Sequence, residues 1–289
     1  MLQNNKISTP VLFDGAMGTI LHKTTKEYHA PPDLFNLTDP ETVIKIHREY
    51  IDAGSKIILT NTFGANRLRL ANNSISFKLP KINSIGVHLA HEAAKGTNVL
   101  IAGNIGPTGI PGNLINDDTS NMISQTFIEQ AQYLVDSGID LLVLETFSTQ
   151  KEALLALVSI KKITSLPVIV LLSILHNNKT SDNFSIEYVF KELENHGAAS
   201  IGLNCSNGAK QILQLIKNLY FANTIPITVK PSAGIPETTK TQLSYPEDPN
   251  IWSDNMTQIA DLGACFLGGC CGTTPEHLRS LAKKLLNKK

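Results

Sequence analysis

The sequence predicts an α/β protein, a single-domain (β/α)8 barrel of the TIM type spanning residues 1–289. Three observations lead there: eight short apolar runs recur along the chain, helical patterns alternate with them, and 289 residues suit one barrel, an architecture of ~250 residues in its common form. Most runs lack a clean apolar/polar alternation, as parallel strands covered on both faces should. An open doubly wound sheet usually has fewer strands.

The runs, in order, are VLFDG from Val11, KIILTNTF from Lys56, VLIAGNIG from Val99 and LLVLETF from Leu141, then PVIVLLSI from Pro167, SIGLNCS from Ser200, PITVKPS from Pro226 and ACFLGGCC from Ala264. Between the first two, DPETVIKIHREYIDAG predicts a helix with Asp39 as N-cap, Pro40 in the first turn and Gly54 as the stop. Its Val43, Ile44, Ile46, Tyr50 and Ile51 mostly follow one apolar stripe. Further helices are expected in NSIGVHLAHEAAKG, SQTFIEQAQYLVDSG, QKEALLALVSIKKI, IEYVFKELENHG, AKQILQLIKNLY and PEHLRSLAKKLLNKK. The polar stretches HNNKTSDN and PETTKTQLSYPEDPN, after strands five and seven, read as βα loops. In a barrel such loops stand on the face that carries chemistry.

Composition narrows the function. With 42% hydrophobic and 17% charged residues the chain can build a sizeable core. Its 25 basic and 25 acidic residues balance, which argues against a nucleic-acid partner or an acidic membrane and favours a small-molecule one. The start, MLQNNKISTPVLFDG, has no secretory pattern, and no apolar run reaches the ~18 residues of a membrane span. VIVLLSIL, Val168 to Leu175, is of strand length. A cytoplasmic protein is expected, in which sparse cysteines are free or metal-bound.

The four cysteines are Cys205, Cys265, Cys270 and Cys271. Neighbours on a regular strand point to opposite faces, so Cys270 and Cys271 share a ligand only if the chain bends, as Gly268, Gly269 and Gly272 permit. Cys205 ends predicted strand six, and a barrel brings all strand ends to one mouth. Three thiolates around one point suit Zn2+ with a fourth position open, the pattern of a catalytic site. Cys265 lies ~16 Å back along its strand and is expected in the core. The competing explanation for the adjacent pair is two small buried side chains. His88 and His91, at helical spacing, form a rival metal pair without an H-E-x-x-H motif.

The segments DGAMGT (14–19), NTFGAN (61–66), GNIGP (103–107), ETF (145–147), GLNCS (202–206) and GGCCGTTPEH (268–277) together closely resemble the homocysteine S-methyltransferases, nearly end to end. The nearest likeness is to the homocysteine-binding domain of cobalamin-dependent methionine synthase. That resemblance implies a (β/α)8 barrel whose Cys205, Cys270 and Cys271 hold zinc and whose open metal position receives the homocysteine sulfur. It also implies that the amides of Gly15, Ala16, Met17 and Gly18 cradle the substrate carboxylate, and that Glu145, with Asp14, accepts from its ammonium. Apart from the family, DGAMG reads as a tight βα turn and Glu145 as the partner of a nearby basic side chain.

Two departures stand out. Many relatives read P-N-A-G where this chain has PSAG, Pro231 to Gly234. In some of them the Asn oxygen fills the open metal position before substrate arrives, so that Ser232 is either a weaker substitute or yields the place to water. The loop after strand five lacks the family's Gly-containing segment. The methyl donor is expected to be a separate methyl-corrinoid protein or a small donor such as S-methylmethionine or betaine. The alternatives are a catalytically idle zinc- or amino-acid-binding barrel and a thiol-redox protein.

Overall fold

A computed structural model describes residues 9–71, 75–174, 178–219, 225–238 and 243–287. The first eight residues, 176–177 of the loop after strand five and 239–242 of the loop after strand seven lie outside the described residues, as do 220 and 288–289 of the last two predicted helices.

Ten strands are described: β1 (Val11–Leu12), β2 (Ile57–Leu59), β3 (Leu100–Ile105), β4 (Leu141–Phe147), β5 (Val168–Leu172), β6 (Ser200–Gly208), β7 (Ile227–Ser232), β8 (Glu237–Thr238), β9 (Leu243–Ser244) and β10 (Phe266–Leu267). Eight of them form one parallel sheet in the order β1-β10-β7-β6-β5-β4-β3-β2. A parallel bridge between Phe13 and Ile57 closes the ring, supported by Lys56 N–H donating to Leu12 O at 2.7 Å and Asp14 N–H to Ile57 O at 3.0 Å. The predicted barrel is therefore present, with all eight predicted strands in it.

Both faces of each strand are apolar because the barrel buries both. Along β4, Leu141 and Val143 enter the inner core while Leu142 and Leu144 pack beneath the helices. Inside, Phe13 meets Phe266 edge-to-face at 6.1 Å. Cys265 was expected in the core. It is half-buried, packed like Val11 and Leu100 against the inner core from the strands' N-terminal ends.

The helices are α1 (Gly18–Thr25), α2 (Phe35–Thr38), α3 (Pro40–Asp52), α4 (Arg67–Ala71), α5 (Leu79–Ala94), α6 (Asp117–Asp136), α7 (Gln150–Lys161), α8 (Ile186–Asn195), α9 (Ala209–Asn218), α10 (Pro249–Asp261) and α11 (Pro275–Leu286). Asp39 caps α3 through Thr42 N–H at 3.2 Å, and Val43, Ile46 and Tyr50 are its buried stripe. Among the described residues no helix is long and apolar enough to cross a membrane.

One correction concerns PETTKTQLSYPEDPN, which was expected to be loop throughout. It contains the antiparallel β8–β9 pair and the start of α10, with Asp248 as N-cap and Pro249 at the first position. The D-P signal matched that of α3. What hid α10 is its mixed stripe, in which Ser253 and Thr257 are buried beside Trp252, Met256 and Ile259. The loop after β5 is pinned: the Asp182 carboxylate accepts from the first amides of α7, Gln150 at 3.0 Å and Lys151 at 3.1 Å.

Candidate metal and substrate site

The cysteines converge because two strand ends leave regular geometry. The β6–β7 register shifts between Asn204 and Gly208, and Cys205 and Ser206 adopt left-handed backbones, φ +56° and +54°. For non-glycine residues this costs of order 1 kcal/mol each and concentrates at functional sites. After β10 the chain is strung between its neighbours: Gly269 N–H donates to Asp14 O at 2.9 Å, and Cys270 N–H to Pro231 O at 2.8 Å. It then turns at Gly272, φ +78°, where an added Cβ would lie 2.1 Å from Cγ of Tyr245. Thr274 caps α11 in a reciprocal box with His277, so the GTTPEH segment ends the turn and starts the helix.

The three sulfurs of Cys205, Cys270 and Cys271 lie within 4.8 Å of one another, with Cys205 and Cys271 at 3.7 Å. Tetrahedral zinc with bonds of ~2.3 Å needs sulfurs ~3.8 Å apart, so the donor set fits that metal in both chemistry and spacing. All four cysteines are free. Hydrogen bonds from the Cys270 and Cys271 thiols hold the Cys205 thiol far below the usual range, and the same contacts with Cys205, ahead of burial, push Cys270 and Cys271 up. The cluster concentrates negative charge at one point, where a cation would release the remaining protons. His88 and His91 form no such cluster. Both are exposed, and His91 Nε2 is bonded to Gly138 O at 2.9 Å.

A cavity of about 630 Å³ opens beside the sulfurs, lined among others by the Asp14–Thr19 turn, Asn104, Glu145, Lys230 and the three cysteines. The same cavity is also lined by His22, Tyr28, His29, Asp33, Phe63 and Arg69. Ser232, expected at the substrate or the open metal position, is absent from this wall; it is buried, with Oγ donating to Cys205 Sγ at 3.9 Å.

The floor carries charge. Lys230 Nζ, 2% exposed, stands 3.5 Å from Asp14 Oδ1 and 3.6 Å from Glu145 Oε2 and 5.2 Å over the Phe13 ring. Burial works against the lysine's charge, but Glu145 and Asp14 together raise its pKa. Asp14 accepts from Leu59 N–H at 2.7 Å; burial pushes its carboxyl up to about 6, opposed by Lys230. Glu145 accepts from Asn104 Nδ2 at 3.0 Å and Asn204 Nδ2 at 3.4 Å. In the sequence Lys230 and Asn104 stand only as members of the segments PITVKPS and GNIGP. A lysine inside the apolar run PITVKPS was the available signal.

Of the four amides expected to face a carboxylate, Ala16 N–H is committed to Thr273 Oγ1 at 3.1 Å. Those of Gly15, Met17 and Gly18 have no protein acceptor among the described residues, and Gly18 opens α1. A helix start with free N–H groups favours an anion.

The chain belongs to the homocysteine S-methyltransferase family, which it matches over residues 11–285. It is 28% identical to a methionine synthase of Mycobacterium leprae over 93% of this chain and 24% of that protein, and 27% identical to a methionine synthase of Mycobacterium tuberculosis over 96% and 24%. It thus spans about a quarter of the length of these curated relatives. In structure it is similar to the metallated form of the Escherichia coli homocysteine methyltransferase MmuM, with a TM-score of 0.80, 21% identity, and 97% of this chain and 100% of that one covered.

Proposed function

We propose that this protein transfers a methyl group to the sulfur of homocysteine, giving methionine, at a zinc ion held by Cys205, Cys270 and Cys271. The observation that carries the reading is the meeting of three thiol sulfurs, within 4.8 Å of one another, on the wall of a cavity with room for an amino acid and a methyl donor. Bound zinc would supply the positive charge that keeps a thiol deprotonated, and therefore nucleophilic, near neutral pH. The chain's own groups do the orienting. The free amides of Gly15, Met17 and Gly18 receive the substrate carboxylate, and Glu145 and Asp14 receive the ammonium. With both ends of the amino acid held, the side-chain sulfur reaches toward the cysteines. Its lone pair forms the new bond to the methyl carbon, while the electrons of the broken bond stay with the donor.

The donor reaches the sulfur through the same cavity, whose wall also includes His22, Tyr28, His29 and Phe63. It is a methyl-corrinoid carried by a separate protein, or a small sulfonium or ammonium compound such as S-methylmethionine or betaine. A second reading, an idle zinc- and amino-acid-binding barrel, is favoured by the withdrawal of Ser232 from the cavity wall. A transfer assay with homocysteine and each donor, accompanied by metal analysis, separates the two. Methionine should form with one donor and only in metal-loaded protein. Full activity without metal overturns the zinc mechanism, and silence with every donor class favours the second reading.

A further inference from the structure

We propose that Asn104 and Lys230 complete a pocket that reads the α-ammonium of the substrate, so that the site admits amino thiols and turns away thiol acids lacking the amine. The inference rests on homocysteine being the substrate. Asn104 is 7% exposed and lines the cavity, yet its Oδ1 has no partner among the described residues. Its amide cannot simply rotate: Nδ2 donates to Glu145 Oε1 at 3.0 Å, and a flip would set an oxygen against that carboxylate. A buried acceptor held without a donor is unfavourable, and a ligand N–H in the cavity would relieve it.

Charge gives the donor's class. Asp14 and Glu145 bring two negative charges and Lys230 one positive, all buried. The floor is left with one net negative charge, and buried charge is costly unless compensated. A primary ammonium supplies the missing charge together with three N–H donors, matched to Asn104 Oδ1 and the two carboxylates. A ligand carboxylate drawn to Lys230 would instead deepen the imbalance. Lys230 is the positioning residue: boxed between Asp14, Glu145 and the Phe13 ring, it holds both acceptors in place and keeps Asp14 ionised.

The test is a cycle between side chain and ligand amine. Zinc-loaded wild type and Asn104→Leu are titrated with homocysteine and with 4-mercaptobutanoate, the same thiol acid without the amine. We expect the variant to bind homocysteine about tenfold more weakly, with 4-mercaptobutanoate unchanged within about twofold. Lys230→Met should likewise narrow the preference, and Lys230→Arg should largely keep it. Should Asn104→Leu fail to fold, Asn104→Ser, polar but shorter in reach, takes its place. Equal loss of both ligands, or none of either, in the Asn104 variant overturns the inference while leaving the homocysteine reading intact. Wild-type protein that binds neither thiol overturns both.

Discussion

The hydroxyl of Thr273 accepts from Ala16 N–H at 3.1 Å, joining the turn after the last barrel strand to the turn after the first. The same hydroxyl donates to Cys270 O at 2.7 Å, so one side chain sets the cysteine pair relative to the substrate amides. Thr273→Val keeps the shape and removes both bonds. It should destabilise the protein by about 1–3 kcal/mol and weaken homocysteine binding; urea denaturation and calorimetry read the two effects. Unchanged stability and affinity would make the bridge incidental.

The metal prediction separates the four cysteines. Alanine at Cys205, Cys270 or Cys271 should abolish both metal retention and methyl transfer. Cys265→Ala, at the far end of the barrel, should leave about one zinc per chain. Metal analysis after gel filtration decides.

Glu145→Gln retains the hydrogen bond to Asn104 but removes a charge from the ammonium's surroundings. Homocysteine affinity should fall by roughly 1.5–3 kcal/mol, the worth of a charged hydrogen bond, without loss of zinc. Equal affinity in a titration would reduce Glu145 to a partner for Lys230.

Much of this site was legible in the sequence because barrel topology converts strand ends into neighbours. Once eight runs were recognised, Cys205 and the Cys270–Cys271 pair had to share a mouth. Lys230 was less legible. Its meaning depends on Asp14 and Glu145, which lie far away in sequence and beside it only in the closed ring. The orphaned Asn104 Oδ1 is also a property of three-dimensional pairing, as is the withdrawal of Ser232 behind Cys205. The α10 helix was missed for a local reason, since its polar buried residues blur the period that reveals a helix.

His47 on α3 is fully buried with both ring nitrogens unpartnered, and burial pulls its pKa down to about 4. Between that value and the usual ~6.5 the unfolded chain binds a proton that the folded one refuses. Beyond the constant cost of its unpartnered nitrogens, its proton-linked effect on stability is therefore neutral above about pH 6.5 and increasingly unfavourable as pH falls toward 4. Asp14 and Asp33, raised to about 6 by burial, act with the opposite sign, so the difference between wild type and variant is the informative quantity. His47→Leu should be more stable than wild type at pH 7, and its advantage should widen at pH 5. Denaturation midpoints at both pH values test this, and a constant difference would rule it out.

Substrate binding should release a proton. Free homocysteine carries its thiol proton at pH 7, given a reference pKa of ~8.5, whereas zinc takes up the thiolate. Calorimetry in two buffers of different ionisation enthalpy should count close to one proton per site. A count near zero would mean that the sulfur does not join the metal as a thiolate.

The ring's two shortest strands, β1 and β10, pair with each other although the residues they bring together, such as Ala16 and Thr273, are 257 positions apart. During synthesis β1 emerges before β10 and must wait for the rest of the barrel before it finds this partner. Until then Cys205 stands alone, with no second sulfur to complete a chelate and no Cys270 turn to lie against the substrate amides. The three-sulfur site therefore requires the last barrel strand, and a barrel lacking it offers neither a partly formed thiolate trap nor a premature amino-acid site.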